Sequence, residues 1–85
     1  MMTNFSMWYP SFDEYDIYRR LDQPINPVDG RTIYYVCRAS LMGDEWIWVS
    51  ITITGRDELK HFSDLFPTWQ AAADDCDKQI GASDG

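Results

Sequence analysis

The chain has 85 residues, 45% of them hydrophobic and 15% aromatic, and fourteen acidic against seven basic residues give a formal net charge of -7. That length holds one domain around one core, and that apolar content excludes a disordered chain. The negative charge repels phosphate backbones and anionic lipid, so it argues against general nucleic-acid or membrane binding and favours a partner with a basic surface.

The acid is concentrated toward the two ends. Residues 1–30 carry a net -3, residues 31–56 a net +1 and residues 57–85 a net -5. Residues 1–14 read as an aromatic arm, with Phe5, Trp8, Tyr9 and Phe12 set around Pro10 and no clean period among them. The same stretch lacks a basic leader and a long apolar run, which argues against a signal peptide or a membrane span. A cytoplasmic location with Cys37 and Cys76 reduced is the default expectation.

Between residues 11 and 21 two readings compete. Tyr15, Ile17 and Leu21 alternate as in a strand, whereas Ser11 and Glu14 are spaced as a helix capping box. Pro24, Pro27 and Asp29-Gly30 mark a loop that ends in a tight turn. Ile33 to Ala39 is β-branched and aromatic, as a strand requires. Met42 to Glu45 reads as a hairpin connection.

The clearest signal runs from Trp46 to Thr54. Ile47, Val49, Ile51 and Ile53 alternate with Trp46, Trp48, Ser50, Thr52 and Thr54, so a strand puts the aliphatic residues on one face. Gly55 ends it. Residues 56–65 fit either a short helix or a fourth strand around Lys60 to Phe62. Thr68 then caps an amphipathic helix whose apolar stripe is Trp69, Ala72, Ala73, Cys76 and Ile80, with Gly81 as a stop and 82–85 as a frayed tail. The expected fold is α+β: a three- to four-stranded antiparallel meander with the C-terminal helix on its aliphatic face.

No residue pattern points to catalysis. His61 is the one histidine, and it is isolated in sequence from Cys37 and Cys76, unlike the paired spacings of a zinc site. Ser50 or Ser63 can be drawn with His61 and Asp57 as a triad, but no nucleophile elbow or phosphate-binding loop accompanies them. No catalytic residue, cofactor or metal is therefore expected.

Two surfaces remain as candidates. The first is acidic: Asp74, Asp75 and Asp77 lie in the second half of the predicted helix, where the macrodipole disfavours negative charge, and Asp57 and Glu58 add a second doublet. These residues form either an ordinary solvated face or a ridge that meets a basic partner. The second is the sheet face holding Trp46 and Trp48, to which a compatible register adds Tyr18, Arg20, Tyr34 and Arg38. Trp, Tyr and Arg are enriched at binding hot spots. Such a face needs cover from the aromatic arm, a second copy or a partner.

The leading expectation is a protein–protein interaction module, regulatory or inhibitory, that binds a protein with a basic surface, a class that includes nucleic-acid-binding proteins. It is of the type seen among phage-encoded inhibitors of host defence. The alternative is a sheet-based nucleic-acid-binding module, which requires Arg19, Arg20, Arg31 and Arg38 to share one exposed face. A small enzyme or metal-binding protein is the third reading. A homodimer is compatible with all of them.

Overall fold

The computed structural model describes residues 7–11, 15–24, 28–40 and 42–84. Five strands form one antiparallel sheet in chain order: β1 (Trp8–Pro10), β2 (Ile17–Arg20), β3 (Thr32–Arg38), β4 (Trp46–Thr54) and β5 (Asp57–Phe62). One helix follows, α1 (Trp69–Asp84). The α+β meander is thus as the sequence implies, with more strands than three or four. Three residues of the expected arm, Trp8 to Pro10, pair with β2 as an edge strand, and residues 57–62 resolve as strand. Ile17–Arg20 is strand as well, while Glu14 of the alternative capping box lies outside the described residues, as do Phe5 and Phe12.

The turns follow from their residues. Gly55 joins β4 to β5 at φ 62° and Gly30 turns the chain at φ 79°, both in the left-handed region that glycine enters without steric cost. The Asp29 carboxylate accepts the Gly55 N–H at 2.8 Å, and Gly30 N–H donates to the Ile53 carbonyl at 2.7 Å, tying the long loop to the end of β4. Beyond the short β2, the Gln23 side-chain carbonyl takes the Tyr34 N–H at 2.7 Å in place of a strand partner. Thr68 caps α1 through a 3.1 Å bond from the Ala71 N–H to its hydroxyl. The helix runs on through Gly81 to Asp84 rather than stopping, because Gly81 keeps helical backbone geometry; of the residues expected to fray, only Gly85 lies outside the described chain.

The register settles which side chains share a face. Tyr18 stands opposite Val36, and Val36 opposite Trp48. Trp8, Tyr18, Arg20, Tyr34, Val36, Arg38, Trp46 and Trp48 therefore lie on one side of the sheet, and α1 packs on that side. The core is Trp8, Val36 and Trp48 against Ala72, Ala73 and Cys76, and burying Val36 alone is worth roughly 2 kcal/mol.

This corrects the expected placement of the helix on the aliphatic face. The apolar stripe of α1 is the expected one, but it is built of small residues that let the helix approach broad indole rings closely. Buried indoles also carry N–H groups that need acceptors, and the aliphatic face has none to match the carboxylates flanking the helix stripe. Ile17, Ile33, Cys37, Ile47, Val49, Ile51 and Ile53 form the outer face, on which Ile33 and Val49 are buried. Among the described residues no helix or strand packs over it.

Candidate functional site

The helix–sheet joint is held by two aspartates that flank the stripe on opposite sides. On one side Trp48 Nε1 donates to Asp75 at 2.7 Å. On the other, Trp8 Nε1 donates to Asp77 at 3.4 Å, and Arg20 forms an ion pair with the same carboxylate. Arg20 also pairs with Asp22 at 2.9 Å and sits over the Trp8 ring at 5.6 Å. At the start of the helix Trp69 stacks on Tyr18, with ring centroids 4.0 Å apart and planes 11° from parallel.

Burial shapes the electrostatics of this joint. It pushes the Asp77 carboxyl above its ordinary value, outweighing the opposing pull of Trp8 and Arg20. The hydrogen bond from Arg20 holds Asp22 below its ordinary value, and the Asp22 bond raises Arg20 in turn. Burial, helped by the Asp77 charge, also drives the Cys76 thiol far up, so it stays protonated and inert.

The predicted acidic residues are therefore divided. Asp75 and Asp77 face the sheet as acceptors, which corrects their expected place on an outward ridge. Asp74 alone of the three turns away from the core, in an i,i+4 pair with Lys78 at 3.2 Å. Asp57 and Glu58 are exposed on β5, with Glu58 3.4 Å from Lys60. The predicted aromatic face is the internal one: Trp48 is buried, while Tyr34 and Trp46 are half-buried against the core. Arg38 covers the Trp46 ring at 5.8 Å and reaches Asp44 at 3.4 Å and Asp16 at 3.8 Å. Helix α1 supplies the cover for which the sequence offered the arm, a second copy or a partner, and Trp8 is the arm's contribution.

The residues weighed for chemistry do not converge. Cys76 lies in the core and Cys37 on the outer face, where burial raises its thiol, and His61 stands on β5. Among the described residues no cluster of metal-ligating side chains occurs. Ser50 is opposite His61 across the ladder, but Asp57 is at the far end of β5 and the Ser63 hydroxyl is occupied by the Trp48 N–H and the Asp64 carbonyl. The four arginines separate as well: Arg20 and Arg38 are on the helix side, Arg19 is on the outer face and Arg31 is in a loop, bonded to the Asp22 carbonyl at 3.2 Å. No helix among the described residues is long and apolar enough to cross a membrane.

What remains open is a groove of about 350 Å³ between β5 and α1, missed by the sequence reading. Trp48 and His61 line it from the sheet, together with Ser63 and Asp64 of the following loop and Asp75 and Gln79 of α1. The His61 ring lies 5.7 Å from the Trp48 indole. Aromatic edges beside carboxylates suit a guanidinium or ammonium group, which gains both ion pairing and ring contact. Comparison of the chain with protein-family models, curated proteins and solved structures finds no match in any of the three.

Proposed function

We propose that this chain is an acidic protein-binding module that holds a basic side chain of its target in the groove between β5 and α1. The groove carries this reading, because Asp64 and Asp75 line it beside Trp48 and His61. Asp57, Glu58 and Asp74 extend the negative field around it and steer a basic partner toward it. A module of this kind regulates or inhibits by occupying a site that its target otherwise uses for an anionic ligand. The division of Arg19, Arg20, Arg31 and Arg38 between both faces and a loop counts against the nucleic-acid module, which requires a shared basic surface.

The test is capture from a lysate of the source cells on immobilised protein, comparing wild type with the double variant Asp64→Lys, Asp75→Asn. Asparagine at 75 keeps an acceptor for the Trp48 indole, so circular dichroism should report the same fold. The expected result is a basic protein held by wild type at about 0.05 M salt, released at about 0.5 M and bound at least about tenfold more weakly by the variant. Equal retention of that protein by both forms would contradict the reading.

A further inference from the structure

The two edges of the sheet are unlike. β1 is three residues long and ends in Pro10, which cannot donate to a further ladder, so that edge is blunted. β5 is six residues long and exposed throughout, and among the described residues no strand lies beyond it in the sheet order. Its backbone orientation follows from the ladder. Trp46 exchanges bonds with Phe66, and Trp48 accepts from Ser63, so the even-numbered residues of β4 turn their backbone groups toward β5. Their partners Asp57, Leu59 and His61 face β4 in return. Glu58, Lys60 and Phe62 therefore turn their N–H and C=O groups outward.

We propose that β5 pairs with the β5 of a second copy, antiparallel about a two-fold axis at Leu59, to make one continuous ten-stranded sheet across a dimer. The edge is complementary to itself in that register. Glu58 of each copy stands opposite Lys60 of the other, and both are residues with outward backbone groups, so the hydrogen-bonded pairs and the opposite charges coincide. Asp57 stands opposite His61 on the helix side, and the two Leu59 side chains, each 64% exposed in the single chain, meet at the axis. The two-fold axis repeats each contact away from it, so the Glu58–Lys60 and Asp57–His61 pairs each occur twice.

The charge balance points to a second copy rather than to an unrelated strand. The chain as a whole is strongly acidic, but the edge from Arg56 to Phe62 has two acids, Asp57 and Glu58, against two bases, Arg56 and Lys60. A charged edge normally repels stray strands; here the alternation of Glu58 and Lys60 repels most registers and accepts its own reverse. The inference does not rest on the basic target proposed above: it is argued from the backbone and charges of the edge, which shares His61 and Phe62 with the groove.

Sedimentation equilibrium over a range of concentrations tests it, together with amide hydrogen exchange. The ladder is short, so dimerisation is expected to be weak, with a Kd on the order of 0.1 mM, as small interfaces are. Mass should rise from 9.9 kDa toward twice that value as concentration increases. Lys60→Glu and Glu58→Lys should each weaken the dimer at least about tenfold by placing like charges opposite each other, and the double exchange should restore it to within about threefold. Lys60→Pro removes an outward donor without touching the bonds to β4 and should abolish dimerisation while the monomer stays folded. The amides of Glu58, Lys60 and Phe62 should gain protection as the dimer forms. A chain that stays monomeric at millimolar concentration, a double exchange no better than either single change, or a dimer whose edge amides exchange freely would each overturn the proposal.

Discussion

Trp48 and Asp75 show how one polar contact can direct a whole layer. The indole is buried, and its N–H has the Asp75 carboxylate as acceptor at 2.7 Å. Removing the acceptor strands a buried donor, so Asp75→Ala should cost about 1–3 kcal/mol, and Asp75→Asn clearly less, in urea unfolding. Both carboxylates looked in sequence like surface charge placed against the helix dipole. The signal that would have redirected them is the need of buried tryptophans for acceptors, set beside aspartates at both flanks of the helix stripe.

The pH dependence of the joint has two opposed parts. Asp22 sits below its ordinary carboxylate value, so its contribution is full above that value and is lost as pH falls through the lower folded one. Asp77 sits above its ordinary value, so the folded state binds its proton more readily and gains stability as pH falls through that raised value. The Asp22 side chain is 49% exposed, and its pair with Arg20 is worth about 0–1 kcal/mol. Asp22→Asn should therefore lower the urea midpoint slightly at neutral pH and match wild type once the pH is below the carboxylate range.

Element by element, the fold is legible in the sequence where the periodicity is long. The alternation from Trp46 to Thr54 gave β4 its residues, and the stripe from Trp69 to Ile80 gave α1 its buried face. Period two tells which residues share a face; it does not tell which face the helix chooses, and here indole–carboxylate pairing decides against aliphatic content. β1 escaped notice because three residues ending in proline carry no period. The helix end at Gly81 was misplaced for a different reason: glycine is a stop only where the chain turns left-handed, and here it does not. Space around Gly81 is open, so Gly81→Ala should stabilise the protein by about 0.5–1 kcal/mol. Thr68→Ala should destabilise it by about 1 kcal/mol through loss of the cap. Thermal melts of the two variants should move in opposite directions.

In the molecule as a whole, closing α1 over the tryptophans turns a predicted binding face into the core and moves the candidate site to the groove beside β5. The groove joins residues from β4, β5, the following loop and α1, which is why no local motif announces it. The outer aliphatic face, expected to be the core, is left on the far side of the sheet from the helix. All of this depends on which face the helix covers. Hydrogen exchange of the tryptophan indole N–H groups in ¹⁵N-labelled protein tests that placement most directly. Trp48 Nε1 should exchange slowly in the wild type, and in Asp75→Ala its resonance should shift and its exchange accelerate by about tenfold or more, with each 1.4 kcal/mol counting as a factor of ten. If Trp48 instead exchanges like free indole, or is indifferent to the loss of Asp75, the helix does not lie on this face and the groove is not the site.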